Sequence, residues 1–180
     1  MSVVPRLVVV GHDAAGNSTV ERDEHPEPLT VRAFPGQEFR LLWGSRDGGA
    51  VVGPAAPGPS TLPFFAGTGG SRLMLVTFPA SDATTTPPTD PESAAEVAAR
   101  LPGLAEVFDP DDPTGMHTTD TLDYGVCLAG TLTLVLDDGR EVDLHPGTCV
   151  VQQGTRHAWR NDGPGPALMC FVGIGATRAG

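Results

Sequence analysis

Thr131-Leu132-Thr133-Leu134-Val135-Leu136, Asp137-Asp138-Gly139 and Arg140-Glu141-Val142-Asp143-Leu144 read together as a β-hairpin. Apolar residues alternate, an Asp-Gly turn follows, and the alternation resumes. Two short motifs flank this hairpin. Upstream runs Met116-His117-Thr118-Thr119-Asp120-Thr121-Leu122-Asp123-Tyr124; downstream runs Gly154-Thr155-Arg156-His157-Ala158-Trp159-Arg160-Asn161. Folding the hairpin back brings His117 and His157 toward one region of a sheet. Two histidines and a carboxylate on a β-scaffold are the raw material of a metal or acid–base site.

These motifs resemble those of the cupin family, small β-barrels of the double-sheet jelly-roll type. The family's first motif is Gly, five residues, His-x-His, three or four residues, Glu, six residues, Gly. His117 matches the first histidine, and Asp123 stands in the glutamate's place ahead of Gly130. Thr119 occupies the second histidine's position, and Asp111 replaces the opening glycine. In the second motif Gly154, His157 and Asn161 match in spacing, while Gln152 replaces the proline. The resemblance covers roughly residues 105 to 175. It implies an all-β fold, a cupin-type double-stranded β-helix (jelly-roll barrel) with an N-terminal β-extension and one short helix. It also implies that His117 and His157 point into the barrel.

Composition agrees with one domain. A chain of 180 residues can bury about 70% of its unfolded surface, enough for one core. Only 18% of residues are charged, and 23 Gly and 18 Pro fit many short strands joined by turns. A net charge of −11 argues against nucleic acid or an anionic membrane as partner. All 11 basic residues are arginine, so a lysine Schiff base is excluded. Cys127, Cys149 and Cys170 form an odd set without a C-x-x-C pair, as expected of a reducing compartment. The Leu7–Val10 run is too short for a signal-peptide core, and no apolar stretch approaches a membrane span. A cytoplasmic protein is the expectation.

Along the chain, 1–90 reads as an N-terminal β-extension with a long Gly/Pro-rich loop, part of the same domain as the helix and barrel of 91–180. Strands are expected at Arg6–Val10, Thr30–Phe34, Phe39–Trp43 and Ser71–Phe78, with turns at Gly11-His12-Asp13 and Pro35-Gly36. The loop 46–70, carrying Phe64-Phe65, is long enough to be either mobile or a lid over a site. A Thr/Pro linker at Ala83–Pro91 leads to a helix over Pro91–Leu101, with Asp90 as N-cap and Pro91 at the first helical position. The acids at Asp109–Asp112 lack calcium-loop spacing and read as a solvated loop. No internal repeat is present, so one barrel is expected, and exposed strands of such barrels commonly pair into homodimers.

Strand parity places His117, Thr119, Asp123 and Cys127 on one face, and His157 with Trp159. Catalysis would fall to His117, Asp123 and His157, with Thr119, Cys127 and Trp159 lining the substrate pocket. Three uses of that pocket stay open. His117, Asp123 and His157 are numerically a 2-His-1-carboxylate set for one divalent metal such as Fe, Zn, Ni or Mn. The aspartate, however, is one methylene short of the family's glutamate, and a neutral threonine is a poor ligand. Metal-free acid–base catalysis suits a lyase, isomerase or cyclase, with a histidine as base and a buried, neutral Asp123 as donor. The third use is small-ligand binding without turnover. A small organic molecule of secondary or aromatic metabolism is the expected substrate in each case, on family analogy; no nucleotide cofactor is expected. The bland readings are that Cys127 is a core residue, that Trp159 only packs, that Asn161 and Gly154 shape a turn, and that His12, His25 and His145 belong to loops and turns.

Overall fold

The computed structural model describes residues 3–80, 90–109 and 111–179. Its strands are β1 (Leu7–His12), β2 (Ser18–Glu24), β3 (Glu38–Ser45), β4 (Ser71–Phe78), β5 (Thr121–Ala129), β6 (Leu132–Leu136), β7 (Glu141–Leu144), β8 (Cys149–Gln153), β9 (His157–Arg160) and β10 (Ala167–Gly175). One helix, α1, spans Pro91–Arg100, and a 3₁₀ turn follows at Ala105–Val107. A five-stranded antiparallel sheet runs β3-β4-β10-β5-β8 and a three-stranded sheet runs β7-β6-β9, while β1 and β2 form a separate hairpin. The five-stranded sheet takes β3 and β4 from before residue 91 and the other three strands from after it. Two packed antiparallel sheets with one short helix make a cupin-type jelly roll.

The hairpin read from the sequence is β6–β7, in register at Leu134↔Val142 and Leu132↔Leu144. Gly139 N–H donates to Leu136 O at 3.1 Å, and Leu136 N–H to Arg140 O at 2.9 Å. With Gly139 at φ 72°, this is a type I turn closed by a left-handed residue, the usual three-residue hairpin loop. Asp138 holds it by accepting from Arg140 N–H at 3.0 Å.

Alternation sorts the large sheet's two faces. In β4, Arg72, Met74, Val76 and Phe78 point inward and are buried. Leu75 joins Leu7, Leu42 and Leu168 in a second cluster on the outer face. Leu7 and Val9 of β1 cover part of that face, while Tyr124, Leu128 and Val151 on it stay exposed. The inner cluster includes Phe39, Phe64, Phe108, Leu132, Trp159 and Met169.

The N-terminal third departs from expectation in two places. Thr30–Phe34 is not a strand. Only Leu29 forms an isolated bridge, to Phe39, and Phe34 N–H bonds back to Val31 O at 3.2 Å. Val31 and Phe34 are both buried, a three-residue spacing that a turn satisfies and a strand does not. Strand β2 was unreadable because STVERDE is polar and almost wholly exposed. The β1–β2 turn is Asp13–Asn17, tightened by Asp13 Oδ1 accepting from Ala15 N–H and Asn17 N–H at 2.8 and 2.9 Å. His12 ends β1 rather than forming the turn.

The linker read at Ala83–Pro91 lies outside the described residues up to position 89. Asp90 caps α1, its Oδ1 accepting from Ser93 N–H at 2.9 Å, with Pro91 at the start. Val97 and the following Leu101 are fully buried, so the helix packs one stripe against the core. Asp90→Ala frees one orphan N–H at the helix start and lowers the melting temperature by a few degrees in calorimetry. An unchanged melting temperature would mean that α1 is held by packing alone.

Loop 46–70 is tied down at both ends of its second half. Phe64 N–H donates to Pro102 O at 2.7 Å, Gly69 N–H to Gly175 O at 2.9 Å, and Gly175 N–H returns to Gly70 O at 3.0 Å. Phe64 meets Phe39 edge to face at 5.8 Å. This part of the loop is a wall of the interior cavity.

Candidate active site

The two sequence motifs meet directly. His117 N–H donates to His157 O at 2.8 Å and His157 N–H to His117 O at 3.0 Å, an isolated antiparallel bridge beside β9. Directly opposed residues of such a pair project to the same face. The imidazoles accordingly lie 4.3 Å apart between centroids, tilted by 53°. Trp159 stands edge-on to His157 at 5.2 Å, and Phe108 flanks His117 at 4.9 Å.

The ring protons follow from the bonds. His117 Nδ1 lies 3.0 Å from Gly115 O, and His157 Nδ1 lies 2.9 Å from Thr155 O. A carbonyl only accepts, so each Nδ1 carries the proton. Each Nε2 therefore keeps a lone pair, and no partner meets either one among the described residues. Burial lowers the His117 pKa, against the pull of the Gly115 carbonyl. His157 is pushed down to about 3, first by burial and then by the neighbouring His117. Both rings are neutral bases at pH 7.

Beyond Thr118 the chain crosses from the β9 side to the five-stranded sheet, where β5 begins at Thr121. Asp123 thus faces the same cavity from the opposite wall. Thr121 Oγ1 lies 2.7 Å from Asp123 Oδ2 and 2.8 Å from Thr119 Oγ1. Thr119 Oγ1 donates to the same Oδ2 at 3.4 Å, so both hydroxyls converge on one carboxyl oxygen. Burial raises the Asp123 pKa, partly offset by these hydroxyls, Thr121 first. The site therefore holds imidazoles with lowered pKa and a carboxyl with a raised one.

The cavity between the sheets has a volume of about 90 Å³ and opens to solvent at its mouth. Its walls are aromatic and apolar, including Phe39, Phe64, Phe65, Phe108 and Trp159. His117, Thr119, Asp123, His157 and Trp159 all line it. Cys127 does not. Its parity is inward as expected, but it sits deeper in the core, fully buried, with Sγ 3.8 Å from the carbonyls of Ala129 and Gly130. Arg72, Thr121, Gln152 and Gly173 also line the cavity and were not read from the sequence. Arg72 left a signal there, as the lone charge in an otherwise apolar strand and in phase with Met74 and Phe78.

The expected metal set is not assembled. Among the described residues no three His, Cys, Asp or Glu side chains gather as a metal site. His117 and His157 offer suitable Nε2 atoms from one wall, but Asp123 is held on the other by Thr121, and Thr119 brings a neutral hydroxyl. Two donors are one short of the three-ligand sites that hold catalytic zinc or non-heme iron. Asn161 is structural. Its Nδ2 donates to Phe78 O and Gly165 O at 3.0 Å each, and its Oδ1 accepts from Gly163 N–H at 2.9 Å.

A two-sheet jelly roll with a histidine-bearing cavity between its sheets is a cupin-type fold. Residues 105–173 match the model of the Cupin domain. It is similar to the phomopsin biosynthesis cluster protein C' of Diaporthe leptostromiformis, 37% identical over 44% of this chain and 50% of that protein. It is likewise similar to the cupin-domain-containing oxidoreductase fogC of Aspergillus ruber, 40% identical over 36% of this chain and 34% of that protein. The matches thus span half or less of these curated relatives. Among solved structures, it overlays the polyketide cyclase RemF of Streptomyces resistomycificus with a TM-score of 0.46 at 15% identity, over 82% of this chain and 72% of that one. No helix among the described residues is long and apolar enough to cross a membrane.

Proposed function

We propose that the chain is an enzyme of acid–base type, acting as a lyase, isomerase or cyclase on a small, largely apolar organic molecule. The observation that carries this reading is the His117–His157 pair, whose Nδ1 protons are held by backbone carbonyls and whose Nε2 lone pairs belong to side chains lining the cavity. A C–H acid bound there loses its proton to an imidazole that burial keeps neutral. Asp123, which burial favours in its protonated form, donates to the oxygen on which negative charge develops. The aromatic walls exclude water from the carbanion. Relatives named as biosynthesis cluster proteins point to an intermediate of secondary metabolism as substrate.

The test needs no knowledge of the substrate. Phenylacetone in deuterium oxide should exchange its activated hydrogens faster with the protein than with buffer, as read by proton NMR. Exchange should persist after exhaustive treatment with chelator, and plasma mass spectrometry should find no stoichiometric metal. A second reading, a metal-dependent oxygenase or decarboxylase, is favoured by relatives named cupin-domain-containing oxidoreductases and by the two free Nε2 atoms. One equivalent of iron, zinc, nickel or manganese, lost in both His117→Ala and His157→Ala, would establish that second reading instead.

A further inference from the structure

Four cavity-lining residues lie in one transverse row across the large sheet. Arg72 pairs with Gly173, Gly173 with Asp123, and Asp123 with Gln152. Adjacent strands are about 4.8 Å apart, so Arg72 and Asp123 stand on either side of a single residue that has no side chain. A Cβ built on Gly173 would come 2.9 Å from Asp123 Oδ1 and meet nothing else within 4 Å. The row therefore leaves open space over Gly173 beside the Asp123 carboxyl group, with Arg72 on the next strand leaning over Gly44 at the far side.

The groups around the gap are incompletely partnered. Arg72 is only 3% exposed. Its Nε donates to Pro63 O at 2.8 Å, and its Nη1 donates to Ser45 O and Ser71 O at 2.9 and 2.7 Å. These carbonyls satisfy hydrogen bonds without cancelling the charge. Asp47 acts on that charge from a distance, but among the described residues no carboxylate forms an ion pair with it, in a chain whose other ion pairs are numerous. A buried arginine is rarely left without a close counter-charge. Gln152 is 6% exposed, and its Nε2 is a buried donor with no partner among the described residues. On Asp123, Thr121 engages Oδ2, leaving Oδ1 toward the gap.

We propose that this row is the seat of a carboxylate, and that the substrate is an apolar, ring-bearing carboxylic acid. The carboxylate rests over Gly173 between Arg72 and Asp123, with Gln152 as an added donor, and the ring lies among Phe39, Phe64 and Trp159. Arg72 supplies the counter-charge, and one proton shared between Asp123 Oδ1 and the bound carboxyl group supplies a hydrogen bond. The inference rests on the reading of this cavity as an enzyme's pocket and names the substrate class for it.

Cinnamate and cinnamamide, alike in shape and different in charge, are the probes, with binding to the full chain measured by isothermal titration calorimetry. The wild type should hold cinnamate about tenfold or more tighter than cinnamamide, since ionised hydrogen bonds are roughly twice as strong as neutral ones. Arg72→Met should abolish that preference. Because Arg72 also ties three carbonyls, Gly173→Ala provides a second variant. Its methyl fills the gap against one carboxyl oxygen only, and it should weaken cinnamate about tenfold. Equal binding of the two probes, no saturable cinnamate binding at millimolar concentration, a preference surviving in folded Arg72→Met, or full cinnamate affinity in Gly173→Ala would each overturn the proposal. Neither probe reacts. Acid preference without phenylacetone exchange would sink the acid–base reading alone, and exchange without acid preference would sink this inference alone.

Discussion

Lowering the pH from 7 to about 4.5 should cost the native protein about 2–3 kcal/mol, and His157→Phe should remove most of that loss. The cause is burial of a neutral imidazole. In the unfolded chain His157 takes its proton near 6.5; in the native chain it does so only at about 3. Between those values the unfolded state binds more protons, so stability is complete above pH 6.5 and falls progressively as pH drops toward 3. His117, lowered by burial, acts in the same direction. Asp123 opposes them, because its raised pKa makes the native state the better proton binder as pH falls through that value. Two groups against one leave a net acid lability, large beside a domain stability of about 5–15 kcal/mol. The paired surface carboxylates lose their stabilisation only below their ordinary range, so the window from about pH 6.5 to 4.5 isolates the histidines. Urea midpoints across that window are the measurement. A wild-type midpoint that stays level from pH 7 to 4.5 would show that the pair is solvated and protonates freely.

Motif spacing made the histidine pair legible, because a hairpin folded back on itself forces the flanking segments together. It also made the core hairpin and the capped helix legible, since local turn and cap chemistry sets both. The row Arg72–Gly173–Asp123–Gln152 was not legible in the same way. Its members come from β4, β10, β5 and β8, up to 101 positions apart in the chain, and only the sheet register aligns them. Gln152 stood in plain view as the residue replacing the family's proline, yet nothing local says that its amide is buried. Parity carried Asp123 and Cys127 equally inward. It could not say that the cavity ends between them, because depth along a strand depends on what fills the opposite wall, here Leu132 of β6. The metal set failed for a related reason. Parity treats 117 to 123 as one extended strand, whereas the chain changes sheets after His117 and leaves the imidazoles and the carboxyl on opposing walls.

His117→Ala and His157→Ala should each slow exchange of phenylacetone by about 10²–10⁴-fold, the usual worth of a positioned general base. Loss of rate alone would not separate a base from a packing residue, since both rings sit in an aromatic cluster. The pH dependence does. His157 is held down partly by the charge that His117 would carry beside it. Removing His117 lifts that repulsion, and the pKa of the remaining His157 must rise from about 3 toward its ordinary value. A base must be unprotonated to work, so the residual activity of His117→Ala should fall away on the acid side at a higher pH than in the wild type. The opposite limb belongs to Asp123, which must keep its proton to act as donor. Wild-type rate should therefore decline as pH rises through the raised Asp123 pKa, and Asp123→Asn should be slower but level across that range. An acid limb unmoved in His117→Ala, with an alkaline limb that persists in Asp123→Asn, would assign the proton transfers to other groups and leave the two histidines as wall residues.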